Sequence, residues 1–139
     1  MMKQFYNLIT LQTNGKSLVD LTSKVNSFIS NHNINNGIIN LTVLHTSASL
    51  LIQENADPSV IDDLKIFFEK LVPEDNNYNH SSEGKDDMPA HIRSALTQTN
   101  ISLSIINGSI LLGQWQGIYL FEHRNNVKKR KIMLHILGD

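Results

Sequence analysis

Histidine is the residue type in this sequence that is best placed to do chemistry. His45 and His123 each end an apolar run, His80 lies in a polar stretch, and His91 follows the proline that opens a short helical pattern. Neutral imidazole binds divalent metals, and a helix N-terminus disfavours the charged form at His91. Each histidine taken singly is more often structural, and no two of the four lie at i, i+4 spacing. We therefore predict one metal site whose ligands converge through the fold.

Two adjacent carboxylates, Asp86 and Asp87, come shortly before His91. They offer hard oxygen ligands for magnesium or a hydrogen bond that orients an imidazole. The alternative is that one of them caps the helix that follows, as Asp57 does before Pro58. We interpret Asp86, Asp87 and His91 as candidate catalytic residues.

Hydroxyl and guanidinium groups lie next to two of the histidines. Thr46 and Ser47 follow His45, and Arg124 follows His123. Arginine binds phosphate through two parallel hydrogen bonds, and hydroxyls complete such a site. The ordinary alternative for Thr46 and Ser47 is a turn that bonds its own backbone. We predict that a phosphorylated ligand contacts Thr46, Ser47, Arg124 and, from the basic run near the end, Arg130.

The elements that must position these groups follow from the spacing of apolar residues. Residues 5–11 are typical of a strand, and Ser17 caps a predicted helix that ends at the Asn-rich turn 31–37. Branched residues at 38–45 predict a buried strand that ends at His45, and residues 50–53 predict a second short strand.

Asp57, Pro58 and Pro73 bound the most clearly predicted helix. A polar loop of residues 73–88 follows, and loops of this length are usually functional or disordered. Pro89 opens a third helix, and the rest is predicted as strands at 101–106, 109–112, 116–121 and 131–137, with an Asn107-Gly108 hairpin turn. Together these predict one compact α+β domain over residues 1–139, with a largely antiparallel sheet or sandwich and about three helices.

Composition excludes several classes of partner. The net charge is -1, from 12 basic and 13 acidic residues, which supplies no broad positive field for nucleic acid. No cysteine is present, so a metal must be held by imidazole and oxygen. No apolar run has the length of a signal peptide or a membrane span. We expect a cytoplasmic protein that binds neither nucleic acid nor membrane.

Four blocks of sequence carry a resemblance to a known family. They are HTSASLLIQENADPSV from His45, YNHSSEGKDDMPAHI from Tyr78, LGQWQGIYLFEHR from Leu112, and the ending RKIMLHILGD. In this order and at these distances they resemble the YjbQ-like family, small proteins described as having a secondary thiamine-phosphate synthase activity. The resemblance covers essentially the whole chain from Gly37 onward.

The resemblance implies a compact α+β subunit, a homotrimer, and a site associated with zinc or magnesium. It implies metal ligands at His45, His80, His91 and His123. One departure is Gln114, where the family pattern has threonine. The positions that match the family blocks are His45, Thr46, Ser47, Glu54, Asn55, His80, Glu83, Gly84, Asp86, Asp87, His91, Trp115, Gln116, Glu122, His123, Arg124 and Arg130.

The reaction implied is the coupling of a pyrimidine diphosphate to a thiazole phosphate with release of pyrophosphate, as a weak or side activity. Asp86 or Asp87 would hold the cation, and Arg124 would stabilise the departing pyrophosphate. Two alternatives need the same residues: a non-catalytic trimer that binds metal or a phosphorylated metabolite, and a phosphohydrolase.

Overall fold

The computed structural model describes residues 1–139. Eight strands and three helices follow one another along the chain. Their order is β1 (Lys3–Asn14), β2 (Ser17–Asp20), α1 (Thr22–Asn31), β3 (Gly37–Val43), β4 (Ala48–Glu54), α2 (Pro58–Leu71), α3 (Asp87–Leu96), β5 (Asn100–Ile106), β6 (Ser109–Ile110), β7 (Gln116–Glu122) and β8 (Val127–Gly138).

The strands form two antiparallel sheets. The larger sheet has the order β1-β8-β3-β5-β6, and the smaller has the order β2-β7-β4. Alternate apolar residues of β3, β5 and β8 and apolar residues of β4, β7 and α1 belong to one buried core cluster. The predicted single α+β domain with three helices and a largely antiparallel architecture is confirmed.

The helix α2 has the bounds that its local signals predict. The Asp57 carboxylate accepts the backbone N–H of Ser59 at 3.0 Å, and Pro58 occupies the first turn. Pro58 lacks only an N–H that a first turn leaves unbonded in any case. The helix therefore starts where its cap and proline place it.

The first helix begins later than predicted. Residues Ser17–Asp20 form β2, which pairs with β7, and α1 begins at Thr22. The Ser17 hydroxyl does not cap a helix, because it donates to the Gly15 carbonyl at 2.9 Å. The predicted start was wrong because Leu18 and Leu21 have helical spacing, whereas the pairing of residues 17–20 with the distant strand β7 decides the conformation.

Strand β7 positions side chains on both of its faces. It lies between β2 and β4, and its residues from Gly117 to Glu122 are all buried. Glu122 contacts Thr13 and Arg130 of the larger sheet, whereas Phe121 packs against Phe68 of α2. None of the three helices is both long and apolar enough to span a lipid bilayer.

Candidate metal centre

Helix α3 carries two of the predicted site residues on one face. Asp87 is its first residue and His91 lies four positions later, so the two side chains are neighbours. The prediction that the helix opens at Pro89 was wrong by two residues, and it hid this i, i+4 pair. The negative charge of Asp87 in the first turn suits the positive end of the helix dipole.

His80, Asp87 and His91 bring one ligand atom each to within 4.8 Å of the others. The Asp87 Oδ2 atom lies 2.6 Å from His80 Nε2 and 3.2 Å from His91 Nε2. Glu83 Oε2 is 3.2 Å from His80 Nε2 and can add a fourth donor. Two imidazole nitrogens and a carboxylate oxygen form a donor set that suits first-row divalent metals.

The second nitrogen of His91 is held by the backbone. His91 Nδ1 lies 3.0 Å from the carbonyl oxygen of Thr46, which can only accept, so Nδ1 carries the proton. In a neutral His91 the lone pair of Nε2 then faces the Asp87 oxygen. That arrangement is favourable only with a proton or a metal ion between the two atoms. Metal-binding histidines are commonly oriented in this way by a carbonyl.

Arg124 holds the carboxylates of this site in place. Its Nη1 donates to Asp87 Oδ1 at 2.5 Å, its Nε donates to Asp86 Oδ2 at 2.9 Å, and its Nη2 donates to the Glu83 carbonyl at 2.9 Å. The backbone N–H of Asn125 also donates to Asp86 Oδ2. Arg124 therefore joins the turn after β7 to the start of α3 and leaves Asp87 Oδ2 available.

The electrostatic surroundings keep both carboxylates ionised. Burial raises the pKa of Asp87, but the hydrogen bond from His80 and the charge of Arg124 outweigh it and leave the pKa below its ordinary value. Burial likewise raises the pKa of Asp86, and the N–H of Asn125 with the Arg124 side chain brings it below the usual range. An ionised carboxylate is the form that a metal needs.

A groove of about 510 Å³ adjoins the cluster, and His45, Thr46 and His91 all line it. His45 Nε2 accepts the backbone N–H of Lys131 at 2.8 Å, so its Nε2 lone pair is in use. Partial burial and the charge of Arg130 lower the pKa of His45. His45 is thus a groove residue outside the three-residue cluster, and metal binding by it stays a prediction.

His123 lies apart from the cluster, in the interior. It is fully buried, its Nε2 is 2.9 Å from the Ser49 hydroxyl, and its Nδ1 has no hydrogen-bond partner. Burial, with the charge of Arg93, lowers the pKa of His123 to about 3. The structure does not bring it together with His80 and His91, and its predicted metal role stays a prediction.

The predicted phosphate-binding residues are mostly engaged elsewhere. Arg130 is buried and donates to both oxygens of Glu122, at 2.7 and 2.6 Å, and to the Ser47 hydroxyl at 3.0 Å. A phosphate would have to displace carboxylates from both Arg124 and Arg130. Of the four predicted phosphate-binding residues, only Thr46 is exposed, and it lines the groove. Phosphate binding by these four residues stays a prediction.

The sequence and the fold agree with those of known proteins. The family model described as UPF0047 protein YjbQ-like matches residues 7–139. A UPF0047 protein of Synechocystis sp. is 49% identical over 138 residues, covering 99% of this chain and 94% of that protein. The UPF0047 protein YjbQ of Escherichia coli O157:H7 is 38% identical over 136 residues, covering 97% and 99%. The chain therefore belongs to the UPF0047 protein YjbQ-like family.

Solved structures share the whole architecture. A crystal structure of a YbjQ-like protein of unknown function from Sulfolobus solfataricus P2 matches with a TM-score of 0.92, at 24% identity over 100% of both chains. A YjbQ/UPF0047 family protein from Clostridium acetobutylicum matches with a TM-score of 0.86, at 30% identity over 94% of this chain and 98% of that one. The first likeness shows the fold alone.

The activity implied by the resemblance is wrong. The matched family and the relatives are UPF0047 proteins whose descriptions name no reaction, and the Sulfolobus solfataricus protein is described as having unknown function. Nothing in them supports thiamine-phosphate synthase chemistry or a substrate with phosphate groups. The geometry of the His80, Asp87 and His91 cluster is the feature of this chain that supports a function.

Proposed function

We propose that this chain is a metalloprotein that holds one divalent transition-metal ion with His80 Nε2, His91 Nε2 and Asp87 Oδ2. The observation that carries the proposal is that these three atoms lie within 4.8 Å of one another while the opposite atoms of Asp87 and His91 are tied back by Arg124 and Thr46. Such outer contacts orient metal ligands and fix the imidazole tautomer.

The donor set favours zinc over magnesium. Magnesium takes oxygen ligands and keeps several waters, whereas zinc binds imidazole nitrogen and carboxylate oxygen together. The three proposed ligands leave a fourth coordination position, which either Glu83 or a small oxygen-containing ligand that zinc polarises can occupy. The side chains of His80 and His91 are 39% and 32% exposed, so such a ligand can reach the ion from solvent.

Zinc titration of the chelator-treated protein by calorimetry tests the proposal. We expect one zinc ion per chain, and an affinity lowered on the order of 100-fold or more by Asp87→Asn or His91→Gln, since even outer contacts are worth 10–100-fold. His135→Gln is the matched control, because His135 lies on β8 and bonds Gln4. Equal zinc affinity in wild type, Asp87→Asn and His91→Gln, with all three folded, would refute the proposal.

We also propose the homotrimer that the resemblance implies. Support comes from exposed apolar side chains on three neighbouring strands of the larger sheet. Ile38 of β3 lies opposite Leu137 of β8, and Tyr6 and Leu8 lie on β1, which also pairs with β8. Contiguous apolar surface of this kind commonly marks an interface. Light scattering after gel filtration should give three times the chain mass of 15.7 kDa, and a monomeric mass contradicts the trimer.

A further inference from the structure

A second feature of the structure lies on a different face of α3 from Asp87 and His91. A small cavity of about 60 Å³ lies between α2, α3 and β7, and its lining includes Arg93, His123, Phe68 and Phe121. It shares no residue with the metal cluster or with the groove that His45 lines.

Two fully buried side chains that line this cavity each have a polar atom without a partner. Arg93 is 2% exposed and His123 is 0% exposed, yet Arg93 Nε and His123 Nδ1 make no hydrogen bond. The other side of each group is satisfied, because Arg93 Nη2 donates to the Val72 carbonyl and His123 Nε2 contacts Ser49. Orphaned buried polar atoms are rare and call for an occupant. The guanidinium N–H only donates, so that occupant must accept.

The charges around the cavity favour an anion. Lys16, Lys65 and Arg93 line it, against Glu69 and Glu122. Glu122 is already neutralised by Arg130, which bonds both of its oxygens. Two carboxylates therefore remain beside the three cations. Glu69 is shared between Lys16 at 2.8 Å and Arg93 at 3.5 Å, and Glu74, outside the lining, also pairs with Lys16, so one positive charge is left in excess.

The rest of the lining is aromatic and the space is small. The rings of Phe68 and Phe121 meet edge to face, with centroids 5.3 Å apart. Since ~10–15 Å³ of such space holds one water, a cavity of this size takes roughly four to six heavy atoms. An inorganic oxyanion would place charged oxygen atoms against the aromatic side chains. A short alkyl group, in contrast, packs on those side chains without burying charge there.

We propose that this cavity binds a small organic monocarboxylate of the size of acetate or propionate. Its carboxylate accepts from Arg93 Nε and lies near Lys16 and Lys65, and its alkyl end packs on Phe68 and Phe121. Nothing in this proposal requires a metal ion at His80, Asp87 and His91.

The test follows the His123 imidazole by NMR in chelator-treated protein, so that its outcome is independent of the metal centre. Sodium propionate, acetate and sulfate are titrated separately, each against sodium chloride at equal ionic strength. We expect a saturable shift with propionate and acetate that chloride does not produce. Lys65→Met should weaken it at least tenfold, and Lys70→Met, the same charge change on an exposed part of α2, should leave it unchanged.

Three results would overturn the proposal. They are a response to carboxylates that matches chloride, saturation by sulfate without saturation by either carboxylate, and equal weakening in Lys65→Met and Lys70→Met. The wild-type titration decides by itself whether a carboxylate binds, so the test stands if Lys65→Met does not fold.

Discussion

The two oxygens of the Asp87 carboxylate have separate partners. Oδ1 accepts from Arg124 and Oδ2 faces His80 and His91. The flat guanidinium fork of Arg124 reaches Asp86, Asp87 and the Glu83 carbonyl at the same time, which the point charge of a lysine cannot do. The position of Oδ2 thus depends on the shape of its neighbour as well as on its charge.

Arg124→Lys should therefore weaken zinc binding by about 10–100-fold, the range that outer contacts of metal ligands usually show. The variant keeps a positive charge beside Asp86 and Asp87, so the carboxylates stay paired. The same zinc titration measures the effect, with circular dichroism to show that the variant is folded. An unchanged affinity would mean that Arg124 does not position Asp87.

His123 makes stability depend on pH. Its pKa is about 3 in the folded protein because of burial and the charge of Arg93, against an ordinary value of 6.5. The unfolded chain takes up a proton as the pH falls through 6.5 and the folded chain does not. Above pH 6.5 the folded protein therefore has its full free energy of unfolding. Below that pH, His123 lowers the free energy of unfolding by about 1.4 kcal/mol per pH unit.

Urea unfolding at two pH values measures this dependence. From pH 7.5 to pH 5, His123 should lower the free energy of unfolding by about 2 kcal/mol. A His123→Gln variant, which cannot take up a proton, should show a decline smaller by that amount. Parallel declines in the two proteins would show that His123 is not held neutral.

At the scale of elements, what the sequence predicts depends on how local the deciding contact is. The start of α2 is readable because Asp57 and Pro58 act within a turn. The strand at Ser17–Asp20 is not, because its partner β7 lies about a hundred residues later. The start of α3 was misplaced for the same reason, since the Asp86 carboxylate that precedes it bonds Arg124 and Asn125 rather than its own helix.

The same distinction holds for the candidate site. Residue types near His80, Asp87 and His91 were visible in the sequence as a polar loop. Their grouping needed the register of α3, which places Asp87 and His91 on one face. The burial of His123 and the pairing of Arg130 with Glu122 depend on sheet packing, so a linear pattern could not separate them from the cluster.

The loop before α3 depends on Gly84, whose φ is +108°. A Cβ there would lie 2.9 Å from Asp86 Oδ1. Gly84→Ala should therefore cost about 1–3 kcal/mol of stability and weaken zinc binding, since the loop joins His80 to Asp87. Thermal unfolding and zinc titration measure the two effects.

Gly108→Ala is the matched control for this loop. Gly108 also has a positive φ, of +83°, but it lies in the hairpin turn, where the nearest atom to a Cβ is the Ile34 oxygen at 3.8 Å. The Gly108→Ala variant should therefore lose stability but keep the zinc affinity of the wild type. Equal zinc affinity in both variants would show that the conformation at Gly84 does not matter to the metal centre.

At the scale of the whole molecule, a buried ionic network joins the two sheets. Glu122 of β7 accepts from Thr13 of β1 and from Arg130 of β8, and Arg130 also contacts Ser47. Burial raises the pKa of Glu122, but the hydrogen bonds from Arg130 and Thr13 outweigh it and leave the pKa lowered. The carboxylate is therefore ionised at neutral pH, opposite a buried guanidinium.

Glu122→Gln should lower the free energy of unfolding by about 3–5 kcal/mol, because Arg130 would remain buried without its counter-charge. Urea unfolding at pH 7 measures this change. Asp63→Asn removes a carboxylate from an exposed position of α2 and should stay within about 0.5 kcal/mol of wild type. A small effect at Glu122 would mean that the network contributes little to joining the sheets.

The metal centre itself is tested most directly by anomalous diffraction at the zinc edge from crystals grown with zinc. We expect an anomalous peak about 2.0–2.2 Å from His80 Nε2, His91 Nε2 and Asp87 Oδ2. The absence of a peak there, or a peak ligated by His45 or His123 instead, would contradict the proposed function.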